Sequence, residues 1–151
     1  MASRDLNDLH PIIANAYKTA LRQWVQLHPQ GPFPFPTCTY RSDEEQEILY
    51  MRDKNHKDDD ADGKIDEPDE WRSNAKPGES KHNFLPSYAL DIAFRKKEGG
   101  LDWTESLFYD FAQLMTAQGI NWGGDWVRLG KAKRNDNDHF DIDIRKGITA
   151  V

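Results

Sequence analysis

The sequence predicts a single-domain α+β fold, and three observations carry that prediction. Apolar residues recur at helical spacing from Leu9 to Leu27 and again from Leu107 to Met115. ALDIAFR at 89–95 and DNDHFDIDI at 136–144 instead alternate with the period of a strand. Taken along the chain, the order is helix, strand, helix, loop, strand, helix, strands, which suggests a small antiparallel or mixed sheet with helices packed on one side.

The first helix is expected over residues 8–28, where Leu9, Ile13, Ala16, Ala20, Trp24 and Leu27 form one apolar stripe. Asp8 suits its N-cap and Pro11 is tolerated in its first turn. PQGPFPFP ends it. Thr37 to Arg41 reads as a short strand, and Ser42 with Glu45 makes a capping box that starts a second helix directly after Arg41. Residues 52–79 are polar and punctuated by Pro68, Pro77 and Gly78. This is a long loop rather than a domain linker, because neither side is large enough to fold separately, so residues 1–151 form one domain.

Ala89 to Arg95 is the next strand, with Leu90, Ile92 and Phe94 on one face and Ala89, Asp91 and Ala93 on the other. Asp102 and Glu105 repeat the capping pattern ahead of a third helix carrying Leu107, Phe108, Phe111, Leu114 and Met115, closed by Gly119. INWGGDWVRL suggests a bent or hairpin strand whose glycine pair permits a tight backbone path. A basic loop with Lys131, Lys133 and Arg134 leads to the final strand.

Charge is concentrated in one place. Between Asp53 and Glu70 stand nine acids and three lysines, which accounts for the whole net charge of -6 and leaves 17 of the 26 acids balanced by 17 of the 20 bases. With no basic face, a nucleic-acid partner is not expected. No apolar run is long enough to span a membrane, and MASRDLNDLH lacks the apolar core of a secretory signal, so membrane insertion is not expected and synthesis in the cytoplasm is. Cys38 is the single cysteine, read as a small buried residue, so a zinc site would rest on histidines and carboxylates.

Such a set is present. In the last strand Phe140, Ile142 and Ile144 take one face and His139, Asp141 and Asp143 the other. Asp91 lies between two alanines on the small-residue face of its own strand, and His82 sits on the loop before it. If the two strands are neighbours, strand spacing of about 5 Å brings Asp91 and His139 within reach of one ion. Two histidines and one aspartate match the three protein ligands of a catalytic zinc site. On spacing alone His139 is more often an ordinary strand histidine than a ligand; His10 and His56 offer no better case, and His28, before a proline turn, a weaker one.

The combination S-x-H (Ser80, His82), A-x-D (Ala89, Asp91), W-G-G-D-W (Trp122 to Trp126) and D-x-x-H-F (Asp136, His139, Phe140) resembles the zinc D-Ala-D-Ala peptidases that share a fold with the Hedgehog N-terminal domain. It looks still more like the phage endolysins that are L-alanyl-D-glutamate peptidases. LHPIIANAYK and TYRSDEEQEILY match the family's opening helix and its Y-R-S…E-E-Q segment, so the likeness runs through nearly the whole chain. It implies that His82, Asp91 and His139 hold zinc, that Asp136 is the catalytic carboxylate, and that Arg41 stabilises the oxyanion or holds a substrate carboxylate. Two departures stand out: NFLPSY looks like an insertion between His82 and Asp91, and Asp138 replaces a frequent proline. Asp138 thereby competes with Asp136 as general base, although alternation should point it away from His139.

The acidic loop at about 58–70 fits a second metal template, the EF-hand. Asp58, Asp60, Asp62, Lys64 through its carbonyl, Asp66 and Asp69 fall at positions 1, 3, 5, 7, 9 and 12, with Gly63 at the sharp turn and Ile65 apolar. Asp69 is shorter than the usual glutamate, and Glu70 is an alternative ligand. Calcium binding is expected here; the bland reading is a solvated acidic loop. The resemblance implies an endolysin that cuts the L-Ala-D-Glu bond of peptidoglycan during host lysis, and a monomer is the default expectation. It would be made in the host cytoplasm and reach the wall through a holin-type membrane lesion. A D-Ala-D-Ala carboxypeptidase or dipeptidase, or a non-enzymatic calcium-binding interaction module, are the alternatives.

Overall fold

The computed structural model describes residues 2–51, 80–132 and 134–143. Helix α1 spans Pro11–Leu27, and its cap is His10 rather than Asp8: the His10 Nδ1 accepts from the Ile12 amide at 3.2 Å. Asp8 instead ends a short 3-10 turn and accepts from the Ser3 hydroxyl at 2.6 Å. Pro11 takes the first helical position, where its missing N–H costs nothing.

Strand β1 is Phe33–Cys38, so it begins inside the proline stretch and overlaps the expected Thr37–Arg41 strand only at Thr37 and Cys38. Prolines survive there because β1 is an edge strand with one neighbour and one open side. The carbonyls of the same stretch are anchored from α1, since the Tyr17 hydroxyl donates to Pro34 O at 3.1 Å and Trp24 Nε1 to Pro32 O at 2.8 Å. Helix α2, Asp43–Met51, opens with the expected capping box: Glu45 N donates to Ser42 Oγ at 3.1 Å and Ser42 N to Glu45 Oε1 at 3.0 Å.

Strand β2 is Ala89–Arg95, as expected, and β3 is Leu101–Asp102. Helix α3, Glu105–Thr116, has Thr104 and not Asp102 at its N-cap, because Asp102 is held in the ladder opposite Phe94 and accepts from Thr104 N and Oγ1. Gly119 does close the helix, at φ +85. The bent strand expected in INWGGDWVRL shrinks to β4, Asn121–Trp122, followed by a 3-10 turn at Gly123–Asp125. The strand expected over 136–144 is β5, His139–Asp141, with Asp136 and Asp138 in the turn before it.

The sheet order is β1-β2-β5-β4 with β3 on β2, and every pairing is antiparallel. Helices α1 and α3 cover one face, packing Ile13, Tyr17, Trp24, Phe111 and Met115 against Leu90, Ile92, Phe94 and Phe140. Each such side chain removed from water contributes about 1.5–3 kcal/mol. Among the described residues no helix is long and apolar enough to cross a membrane. The other face of β2 and β5 carries Asp91, His139 and Asp141, and there the chemistry collects.

Candidate metal centre

Asp91 and His139 are directly opposed in the β2–β5 ladder. The His139 Nδ1 lies 3.0 Å from Asp91 Oδ1, and its Nε2 donates to Asp141 Oδ2 at 2.8 Å. His82 arrives from a one-turn 3-10 helix capped by Ser80 and Asn83, each bonding the other's end of the turn. Its Nδ1 donates to Thr39 O at 2.9 Å, and its Nε2 faces Asp91 Oδ2 at 3.3 Å without the alignment of a hydrogen bond. The two imidazoles therefore flank one carboxylate, with ring centroids 5.4 Å apart.

Each ring has one nitrogen committed to a fixed acceptor and the other turned toward Asp91. That is the arrangement of a histidine prepared for a cation, because the outer hydrogen bond fixes both tautomer and ring orientation. The His82 Nε2 is fully buried, and as a neutral ring it would present a bare lone pair there. A divalent ion satisfies what a proton otherwise must. The residues fit zinc: imidazole and carboxylate donors, three in number.

Electrostatics agree with the geometry. Burial pulls the pKa of His82 down, but the Asp91 carboxylate more than offsets it, and the value is pushed up to about 9. For His139 burial is likewise overcome, here by hydrogen bonds to Asp141 and Asp91, and the value reaches about 10. Asp91, despite burial, is held well below the usual carboxylate range by the two histidines. Asp141 is also held low against burial, by His139 and by Lys81, whose Nζ donates to Oδ1 at 3.0 Å. Asn121 Nδ2 donates to the same oxygen at 3.2 Å.

Asp136 joins the group: ligand atoms of Asp91, Asp136 and His139 lie within 4.8 Å of one another, as do those of Cys38, His82 and Asp91. The turn holding Asp136 rests on Gly123, whose carbonyl accepts from the Asp136 amide at 2.9 Å. A Cβ on Gly123 would lie 2.3 Å from the Asp136 carbonyl, so this contact requires glycine. Asp138 also belongs to the site, against the expectation from alternation: its position precedes β5, where strand periodicity does not apply. Burial and a hydrogen bond to Asp136 push its pKa up to about 10, so Asp138 carries the proton and donates it to Asp136.

Arg41 is drawn in rather than left at the surface. Its Nη1 donates to Gln46 Oε1 at 2.8 Å, and its Nη2 stands 3.8 Å from Asp91 Oδ2 and 3.6 Å from Cys38 Sγ. Gln46 is fully buried on α2, one turn past the capping box. The backbone of the Arg41 segment is stapled to the His82 turn, with Arg41 N donating to His82 O at 2.8 Å and Asn83 Nδ2 to Arg41 O at 2.9 Å. The sequence reading did not assign Asp141 or Gln46 a role. Asp141 was findable, as the residue two past His139 on the same strand face; Gln46 stood in the Y-R-S…E-E-Q likeness, but nothing there pointed to its contact with Arg41. The calcium set Asp58, Asp60, Asp62, Lys64, Asp66 and Asp69, with Glu70, lies outside the described residues.

No sequence-family profile matches the chain. Solved structures do. The Serratia marcescens L-Ala D-Glu endopeptidase ChiX superposes with a TM-score of 0.63 at 18% identity, over 96% of this chain and 90% of that one. VanYB in complex with D-alanine-D-alanine gives 0.52 at 19% identity, over 85% and 70%. A variant of the vancomycin-resistance D,D-pentapeptidase VanY from the VanB-type cassette, in complex with Zn(II), gives 0.51 at 19%, over 83% and 69%. The fold is that of these peptidases. Within this peptidase fold, the expected α+β class with an antiparallel sheet is borne out, and His82, Asp91, Asp136 and His139 are collected on the one sheet face that α1 and α3 leave uncovered.

Proposed function

We propose that the chain is a zinc peptidase that cuts the L-Ala-D-Glu bond of peptidoglycan stem peptides, with His82, Asp91 and His139 as ligands. The observation that carries the reading is Asp91 seated between two imidazoles whose far nitrogens are already committed to Thr39 and Asp141. The likeness to ChiX, which spans nearly all of both chains, supports the choice of bond. The likeness to VanYB supports D-Ala-D-Ala carboxypeptidase as the second reading.

A zinc ion held by His82, Asp91 and His139 would supply Lewis acidity to the scissile carbonyl and to the attacking water. Asp136 takes the proton from that water and returns it to the departing amine nitrogen. Asp138, whose pKa is pushed up by burial and by its hydrogen bond to Asp136, stands beside that base as a neutral neighbour. The Arg41 guanidinium, aimed by Gln46, offers charge to the oxygen on which negative charge develops. The wider setting rests on the sequence: the endolysin-like motifs support a role in phage-driven lysis, with cytoplasmic synthesis and holin-dependent access to the wall. Calcium in the 58–70 loop would order the segment that joins α2 to the His82 turn, acting as a switch on the site.

Mass spectrometry of digested peptidoglycan decides between the readings. A new D-Glu amino terminus is the expected product. Loss of terminal D-Ala would favour the carboxypeptidase, and no product would favour a calcium-binding interaction module.

A further inference from the structure

At the β4 edge, between the end of α3 and the turn after β4, lies a cleft of about 250 Å³. Its walls include Asn121, Trp122, Asp125, Trp126 and Lys131. Trp126 links it to the metal centre: the same indole lines the cleft and sits with its centroid 4.9 Å from that of His139. Gly124 makes this wall possible, since a Cβ there would lie 2.2 Å from the Trp122 ring. Without glycine the chain could not turn beneath Trp122 to place Asp125 and Trp126.

The lining is a mixture that suits a polyhydroxylated ring. Trp126 offers an apolar ring, the Asp125 carboxylate, paired with Arg128 at 3.2 Å, keeps lone pairs that can accept from hydroxyls, and the Lys131 ammonium can donate. The Asn121 amide is fixed in place by Asp141 and Asp143 at 3.2 and 3.3 Å. Ile120 and Leu129 complete a lining of mixed polarity, which suits a ring that carries both apolar faces and hydroxyls.

The chemistry of the substrate places a sugar here. In peptidoglycan the nitrogen of L-Ala is acylated by the lactyl group of an N-acetylated amino sugar. With the L-Ala-D-Glu bond at the metal centre, that sugar is one residue away, about 4 Å of chain plus the lactyl arm. With D-Ala-D-Ala at the centre it would be four residues away, about 13 Å or more. Resting on the L-Ala-D-Glu reading, we propose that the cleft binds the N-acetylmuramoyl sugar that carries the stem peptide, so that the enzyme recognises the junction of glycan and peptide.

Two soluble substrates test this on the full-length zinc protein: N-acetylmuramoyl-L-alanyl-D-isoglutamine and L-alanyl-D-isoglutamine. The muramoyl form is expected to show a KM lower by about tenfold, the scale of one hydrogen bond to a charged group. Asp125→Asn and Lys131→Ala should erase that advantage while leaving turnover of the sugar-free peptide unchanged. Equal KM values in the wild type, or an advantage that survives both substitutions, would overturn the proposal. Free N-acetylmuramic acid, titrated into wild-type protein, is expected to move the indole NMR signals of Trp122 and Trp126 and leave those of Trp24 and Trp103 in place. No movement overturns the sugar site whatever the activity. Movement without cleavage of either substrate instead removes the peptidase reading and keeps the sugar site.

Discussion

Asp91 and His139 face each other across the β2–β5 ladder, Oδ1 to Nδ1 at 3.0 Å, and register alone puts them there. A slip of one residue would turn one of the two, whichever strand moved, into the core and bring Leu90 or Phe140 out. Because His82 meets the other oxygen of the same carboxylate, Asp91 is the partner that both histidines share. Asp91→Asn keeps the shape and removes the charge. It and His139→Ala are expected to lose stoichiometric zinc by elemental analysis while far-UV circular dichroism is retained. Undiminished zinc would remove the residue in question from the ligand set.

In the proposed zinc site, Asp141 would act through His139. Its buried carboxylate accepts from His139 Nε2 and is held by Lys81 and Asn121, so it fixes which nitrogen faces Asp91. Asp141→Asn is expected to weaken zinc affinity by about 10–100-fold, the usual effect of losing such an outer partner. Competition with a chromophoric chelator measures it, and wild-type affinity would contradict the role.

The strongest signals in the sequence were those set by local physics. ALDIAFR was legible as a strand because both faces obey the same alternation, and the Ser42–Glu45 box because two residues satisfy each other's backbone donors. Elements that depend on a neighbour were misplaced. β1 runs through two prolines because it lies at an edge, which no local pattern reveals. Asp138 joined the site because β5 starts one residue later, where the turn and not the pleat sets direction. Of the centre itself, His82, Asp91 and His139 came from spacing and resemblance together and Asp136 from resemblance, whereas the contact of Gln46 with Arg41 is visible only in three dimensions.

Gly123 is the point where the Asp136 turn touches the rest of the protein. Gly123→Ala drives a methyl into the Asp136 carbonyl, at 2.3 Å, and against the Cβ atoms of Asp136 and His139 at 3.1 Å. Backbone cannot move aside as a flexible side chain can. The expected cost is about 1–3 kcal/mol, read as a lower Tm by several degrees, together with loss of hydrolysis. A variant that melts and cleaves like the wild type would show that the contact does not position Asp136.

The proposed calcium site makes a separable prediction. Asp60→Ala with Asp62→Ala removes two carboxylates of the EF-hand template, and calorimetric calcium binding is expected to vanish. If calcium orders the approach to His82, the zinc-replete double variant should also lose calcium-dependent hydrolysis. Unchanged hydrolysis without calcium binding would reduce the ion to a structural role or none.

Protons and metal compete for the same nitrogens, and the sign of that competition is fixed. In the metal-free protein His82 and His139 have pKa values of about 9 and 10, against about 6.5 for an unfolded histidine. Each binds its proton more tightly when folded, so the stability it contributes is complete below pH about 6.5 and is lost as pH rises through 9 to 10. Asp138 works in the same direction, since it stays protonated to about 10 in the fold but ionises near 4 when unfolded. Asp91, held low by the histidines, opposes them only on acidification, below about pH 4. Chelator-treated protein should therefore melt at progressively lower temperature from pH 7 to 10. Zinc affinity should climb over the same range, because each histidine must shed a proton to bind. A metal-free protein that grows more stable toward pH 10 would mean that these histidines are not paired with Asp91 in solution.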